Sequence, residues 1–500
     1  MTMTFRDNRK DFGILLGTID DYVPQDHPVR RMEETIDWGF LYPKVSPLYS
    51  SKGRPSIDPV VLFKMIFINY TFGINSMRKT CEEIRVNLAY RWFLGISLDD
   101  PVPNYSTWSQ NYIRRYGDSE VFDEIFSHIL FQALERGYID PGCVFADSTH
   151  QKASANKRKY TDREAELLSR AYEEDLLKEI NEERRSHGKK PLKHIRRNEI
   201  IYGGKGEEVC ISGKKKHIKE SLTDPESGLY HKGEKEKCFA YSLQTFCDRK
   251  GYVLLSKASA GNVHDSSSFF EAYEDLCSVF GEKISYVCLD AGYNTSAVCR
   301  DIYRKGHIPV LPYSRPKGDR KEGMRKKDFL YDEETDSYIC PQGCLLEYSS
   351  VNREGYRQYR CRSCRGCPLK KECTASSSKV LSVHIWEHYR RDADSFRRSS
   401  EWASIYPLRK QTIERVFADG KENHCLRYTR LRGLKKNRHQ ALVIFACHNL
   451  KKMGLAEWKR KKRERTDKTS VSFSYTISRL SGNFPEKRPS SRYDIREMTV

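Results

Sequence analysis

The stretch from Phe239 to Pro312 constrains the fold more than any other part of the chain. In CFAYSLQTFCDR, apolar and polar residues alternate, Lys250 and Gly251 stand at a turn, and YVLLSKASAG returns, which predicts a β-hairpin. A helix is expected from Asp265 through DSSSFFEAYEDLCSVF, followed by a strand in ISYVCLD, a helix in SAVCRDIYRKG and a strand in HIPVLPYS. Short apolar strands interleaved with amphipathic helices imply an α/β architecture, a mixed sheet flanked by helices.

Three acidic residues punctuate this pattern: Asp147 in VFADST, Asp290 in SYVCLDAGYN and Glu414 in KQTIERVFADGK. Each aspartate closes an apolar run, as a carboxylate at the tip of a buried strand would. Glu414 lies in a helical stretch where Lys410, Glu414 and Lys421 share one face. Mg²⁺ binds through one or two carboxylates plus phosphate oxygens, so three acids suit two Mg²⁺ (or Mn²⁺) ions placed for an in-line displacement.

The order Asp, Asp, Glu in these settings resembles a bacterial insertion-sequence transposase of the DDE type. Carrying the likeness are Asp147 with Ser148, Thr149, Lys152, Ala153 and Asn156, then Asp290 with Ala291, Gly292 and Tyr293, and finally Tyr406, Arg409, Glu414 and Lys421. It covers all but the extreme C-terminus. The element order then matches an RNase H-like fold, with Asp147 and Asp290 on adjacent central strands. The resemblance implies catalysis by Asp147, Asp290 and Glu414. It also implies phosphate contacts from Arg409 or Lys410, Lys421 and Arg432, with Tyr406 positioning the donor strand.

In one respect the sequence departs from the family. Its Tyr, Arg, Glu, Lys signature usually has three residues between Arg and Glu, whereas Arg409 and Glu414 have four. On a continuous helix Lys410 lies beneath Glu414 and Arg409 falls off that face, so both stay candidates for the basic partner. The implied activity is cleavage at the element's ends followed by strand transfer into target DNA. The alternatives are an RNase H-like nuclease without transfer and a domesticated, non-enzymatic DNA-binding protein. Pairing two ends implies a homodimer or higher oligomer acting on double-stranded DNA, both terminal inverted repeats and target.

Charge agrees with a polyanionic partner: 88 Lys+Arg against 68 Asp+Glu give a formal net charge of +20. No run of about 18 apolar residues and no apolar N-terminal signal core is present, so a cytosolic, nucleoid-associated location is expected, with the sixteen cysteines as thiols or metal ligands. Six cysteines fall in CPQGC at 340–344 and CRSCRGCPLKKEC at 361–373. Such paired elements suit a structural, all-thiolate Zn²⁺. By the resemblance Cys340, Cys364, Cys367 and Cys373 are the ligands, with Cys344 and Cys361 as alternates.

Residues 1–135 read as a helical DNA-binding domain, with Ser56 and Asp58 opening a helix before VVLFKMIFINY. The catalytic domain is expected over 136–330 and 381–456, interrupted by the Cys-rich insertion at 331–380. Within it an insertion at about 160–235 should carry one long helix, TDREAELLSRAYEEDLLKEINEERR, with a capping box at Thr161 and Glu164. The basic segments GKKPLKHIRRNE and ISGKKKHIKE read equally as a phosphate-gripping loop or a solvated charge run. The cations from Arg427 to Arg438 suit a backbone-tracking groove, HQALVIFACHNLKKM reads as a buried closing helix, and 457–500 as a disordered basic tail.

Overall fold

The computed structural model describes residues 17–50, 52–53, 55–168, 172–195, 210–232, 236–263, 265–313 and 323–480. The chain is mixed α/β. Its N-terminal part is helical from Ile19 to Glu135. Asp58 caps the Pro59–Thr71 helix by accepting the Val60 amide at 2.7 Å. That helix is buried on nearly every side rather than amphipathic, with Phe63, Met65, Phe67 and Ile68 inaccessible. Gly73 ends the connection out of it in the left-handed region (φ 65°), where an added Cβ would stand 2.9 Å from the Asn423 carbonyl. The N-terminal layer thus abuts the end of the helix bearing Glu414.

Six strands build the central layer: β1 (Cys143–Lys152), then, beyond a separate two-stranded ribbon of β2 (Tyr160–Leu168) and β3 (Cys210–Ser221), β4 (Gly228–Lys232), β5 (Glu236–Asp248), β6 (Val253–Ala260), β7 (Tyr286–Cys288) and β8 (Ile308–Val310). The order β4-β5-β1-β7-β8 has β6 hydrogen-bonded to β5. β1 runs antiparallel to β5 and parallel to β7, and β7 is parallel to β8. The helix Asp265–Phe280 leads from β6 into β7, and the helix Ser296–Arg304 joins the parallel strands β7 and β8.

Asp147 does not end its strand, contrary to expectation. β1 continues to Lys152 because its polar half stays paired with β5, Asp147 opposite Thr245 and Gln151 opposite Tyr241. A second difference lies in the expected long helix: Tyr160–Leu168 is a strand, because Cys210–Ser221 supplies an antiparallel partner, and only Glu173–Ser186 is helical. ISGKKKHIKE accordingly belongs to β3, while 196–209, including the end of GKKPLKHIRRNE, lies outside the described residues.

The Glu173–Ser186 helix fastens the sheets together. Leu176 and Ile180 are buried, Arg300 reaches Glu179 at 2.7 Å and Asp175 at 3.1 Å, and Arg357 reaches Glu183 at 2.9 Å. Beyond it lies a five-stranded antiparallel sheet of β9 (Leu330–Asp332), β10 (Ser337–Ile339), β11 (Leu345–Val351), β12 (Tyr356–Cys361) and β13 (Val380–His384). Its own small core holds Phe329, Tyr338, Leu346, Tyr359 and Leu381.

The expected closing helix is much longer, Leu434–Leu480, and packs on the N-terminal helices Pro28–Thr35, Pro59–Thr71 and Val121–Glu135 as well as on β6. Gly454 permits this approach, since a Cβ there would lie 3.1 Å from the Arg31 carbonyl. The residues expected as a disordered tail therefore begin as helix to Leu480, with no Gly or Pro after Gly454 to stop it; 481–500 lie outside the described residues.

Candidate functional site

Asp147 lies where β7 has ended but β1 continues. Phe145 pairs with Cys288, and Asp147 and Asp290 each follow that pair by two residues, close enough for the Asp290 carboxylate to act on Asp147. Asp290 opens the short turn Ala291–Tyr293 and accepts the Gly292 amide at 2.7 Å, which fixes its carboxylate just past the C-terminal end of β7. Tyr293 beneath it is fully buried and donates to Gln244 Oε1 at 2.8 Å.

Arg409 supplies the positive charge. Its Nη2 donates to Asp147 Oδ2 at 2.5 Å, while the Ser148 amide donates to Oδ1 at 2.8 Å. Burial pushes the Asp147 carboxyl up to about 6; the Arg409 guanidinium opposes the rise and the Asp290 carboxylate adds to it. Two acids share one cation, and the buried Arg409 Nε has no hydrogen-bond partner among the described residues. Tyr406, stacked on Trp402 at 4.9 Å, borders the same group: burial raises its phenol, and Arg409 and Asp290 both act on it.

The helical face expected for Lys410 and Glu414 does not form. Tyr406–Gln411 is a 3₁₀ turn, and Thr412 (φ −107°, ψ −99°) breaks the backbone before the α-helix Ile413–Asn423 starts. The break turns Arg409 inward, 6% exposed, and leaves Lys410 at the surface. Glu414 and Lys421 share the following helix, which packs on β1. Glu414 is exposed in its first turn. Among the described residues the carboxylates of Asp147, Asp290 and Glu414 do not all come within 4.8 Å of one another. Asp147 and Asp290 are brought together; Glu414 is brought only onto the helix beside them.

Oxygen donors that are half-buried or exposed, short of positive charge, fit a hard divalent cation that keeps some of its waters. Nearby, Arg432 Nε donates to the Ser154 carbonyl at 3.2 Å, and β1 is prolonged by Lys152, whose amide donates to the Arg427 carbonyl at 3.1 Å. Of the cations expected in a groove, Arg427 is paired with Glu422, Lys435 with Asp118 and Arg438 with Asp123. Arg430, Arg432 and Lys436 face solvent. Exposed pairs of this kind contribute about 0–1 kcal/mol and can exchange a carboxylate for a phosphate.

At the end of the five-stranded sheet the six cysteines 340, 344, 361, 364, 367 and 373 are electrostatic neighbours, which together with burial raises the Cys344, Cys361 and Cys373 thiols. The amides of Cys344 and Lys379 donate to Cys340 Sγ and Cys364 Sγ, each at 3.4 Å, as amides do to thiolates on a metal knuckle. No three of these thiols lie within 4.8 Å of one another among the described residues. Arg357 of this insertion is turned to Glu183 on the Glu173–Ser186 helix.

The transposase domain family DUF772 matches residues 17–114, and the transposase DDE domain family matches residues 339–454, a span that includes Tyr406, Arg409 and Glu414. Both matches are to transposase domains, and together they support an insertion-sequence DDE transposase. No curated protein matches it. In this transposase the first match covers helices from Ile19 to Arg114, and the second covers the Cys-rich sheet and the start of the long helix. The matches imply DNA as partner and dependence on divalent metal. No helix of the transposase, among the described residues, is long and apolar enough to cross a membrane.

One cluster had no signal in the sequence. Asp419, His424 and His448 bring a ligand atom each within 4.8 Å, with His424 just past the end of the Ile413–Asn423 helix and His448 inside Leu434–Leu480. Neither follows a metal-binding spacing.

Proposed function

We propose that the transposase cuts the phosphodiester at each end of its element and joins the freed 3′-hydroxyl to target DNA, using Asp147, Asp290 and Glu414. The observation that carries this reading is the nearness of Asp147 on β1 to Asp290, two residues past the end of the neighbouring parallel strand β7, with the Glu414 helix packed on β1. The strand order, one antiparallel hairpin followed by two parallel strands beside β1, supports an RNase H-like catalytic domain over 136–330 and 381–456. We assign reading of the terminal repeats to the helices of 1–135.

Two bound divalent ions, Mg²⁺ or Mn²⁺, would supply stabilisation of the attacking and leaving oxygens. The chain's part is to hold the oxygens in place. Asp147 stands between the other two acids, Asp290 from the end of β7 and Glu414 from the helix. In the first displacement a water oxygen forms a bond to phosphorus, its proton leaves to solvent, and the 3′-oxygen departs as the hydroxyl. In the second that hydroxyl takes the water's place and a target-strand oxygen departs. Arg409 offsets the Asp147 charge, and Lys410, Lys421 and Arg432 grip phosphates while Tyr406 positions the donor strand. Synapsis of two ends needs a dimer or higher oligomer.

A labelled terminal-repeat oligonucleotide incubated with a plasmid and Mg²⁺ tests the reading. Joined products are expected; nicks alone would leave an RNase H-like nuclease, and binding without either would leave a DNA-binding protein. A pH profile tests the role of Asp147. Its folded carboxyl titrates near 6 against a usual 3.8, so below pH 6 the folded protein takes up a proton there and gains stability while the site loses its anion. At limiting Mg²⁺, cleavage should fall by about tenfold per pH unit below 6.

We assign one structural Zn²⁺ to Cys340, Cys364, Cys367 and Cys373, with Cys344 and Cys361 as alternates, the thiols drawing closer together around the ion than they stand without it. A chelator, or Cys364→Ser, should release about one Zn²⁺ per chain and lower the melting temperature. A metal count of zero in untreated protein would remove zinc from the account.

A further inference from the structure

We propose a second, nitrogen-containing metal site, formed by His424 Nε2, His448 Nδ1 and the Asp419 carboxylate, that takes a borderline divalent cation of the Zn²⁺ class. It is separate from the three candidate catalytic acids and from the cysteines.

The geometry is preset. His448 Nδ1 lies 3.0 Å and His424 Nε2 lies 3.2 Å from Asp419 Oδ2. Ligand atoms about 2.0–2.1 Å from a tetrahedral ion are about 3.3 Å from one another, so little movement is needed to admit one. The rings are aimed from behind: His424 Nδ1 donates to the Tyr70 carbonyl at 2.8 Å, and His448 Nε2 donates to the Gly251 carbonyl at 3.0 Å. An imidazole whose outer nitrogen is held by a carbonyl presents the other nitrogen to a metal. His424 is fully buried and Asp419 is partly open, so water can complete the coordination. Asn423 Nδ2 fixes the other carboxylate oxygen at 2.7 Å.

Lys451 completes the surroundings, its Nζ 3.4 Å from His424 Nε2 and 3.6 Å from Asp419 Oδ1. That ammonium borders the place a metal would take, and with 41% of its side chain exposed it can swing into water. The elements joined are the end of the Pro59–Thr71 helix, the β5–β6 turn at Gly251, the Glu414 helix and the long C-terminal helix. A bound ion would lock the Glu414 helix to the N-terminal layer. A metal competes with protons for the two inward nitrogens, so affinity should weaken as pH falls.

The test uses Co²⁺ on the full-length protein after metal stripping, in excess Mg²⁺ so that oxygen-only sites do not retain it. Wild type should keep one more equivalent of Co²⁺ than Asp419→Asn or His448→Gln. The difference should appear as visible d–d absorption, with the thiolate charge-transfer band of the cysteines unchanged. Equal Co²⁺ in all three proteins would overturn the proposal and leave a histidine, lysine and aspartate ion network. Should those variants fail to fold, Lys451→Met decides. Removing a like charge about 4 Å from the ion should lower the half-saturating Co²⁺ concentration about tenfold, and unchanged or weaker uptake overturns the site.

Discussion

Changing Asp147, Asp290 or Glu414 to Ala is expected to lower both strand cleavage and strand transfer by at least about 10³-fold, a loss of ~4 kcal/mol in transition-state stabilisation, with binding of the terminal-repeat duplex retained. The three losses should not add. Groups that hold the same ions act as a unit, so a double variant should be about as impaired as either single one. Asp147→Ala should also lower stability, because it leaves the buried Arg409 guanidinium without its carboxylate partner. Gel-shift affinity, thermal melting and product yield on the same preparations separate these effects. Retention of a tenth or more of wild-type cleavage in any of the three would remove that residue from the reacting centre.

Arg409→Ala and Lys410→Ala should behave very differently despite being neighbours. Arg409 is buried and its guanidinium meets Asp147 at 2.5 Å. Removing one member of a buried pair typically costs about 3–5 kcal/mol; a proton on Asp147 would recover part of that, so a loss of about 2–3 kcal/mol is expected, smaller at pH 5 than at pH 8. Cleavage should fall as well. Arg409→Lys should restore little, since a lysine cannot reproduce the planar guanidinium against the carboxylate. Lys410 is exposed, so Lys410→Ala should change stability by less than about 0.5 kcal/mol and act only through weaker, more salt-sensitive DNA binding. Equal destabilisation by the two variants would contradict the inward turn of Arg409.

How far the sequence could be read follows from where each signal lay. Period-two alternation in CFAYSLQTFCDR and the glycine turn at Gly251 are local, and the hairpin of β5 and β6 formed where expected. The strand ending near Asp290 was legible for the same reason. What failed depended on distant partners. The polar residues Ser148 to Lys152 remain strand only because β5 runs alongside them, and Tyr160–Leu168 is strand only because Cys210–Ser221 pairs with it. A helical reading of that stretch satisfied every local rule.

The basic partner of the acids was hidden by one backbone break. Counting residues on a continuous helix favours Lys410, whereas the kink at Thr412 resets the count and brings Arg409 inward. Nor could composition foretell that the Lys- and Arg-rich stretch after Trp458 continues a helix begun at Leu434. Apolar packing of that helix on the N-terminal layer extends its order into residues that look like a tail. Asp419, His424 and His448 meet only through tertiary packing, which no spacing announces.

The account stands on Asp147, Asp290 and Glu414 sharing divalent ions. Crystals of the transposase on terminal-repeat DNA, soaked in Mn²⁺ and measured for anomalous scattering, test this most directly. Two Mn²⁺ peaks about 3.5–4 Å apart are expected, both touching Asp147, one touching Asp290 and the other Glu414. Mn²⁺ bound elsewhere while Asp147 stays paired with Arg409, or Glu414 left in solvent away from any ion, would contradict it.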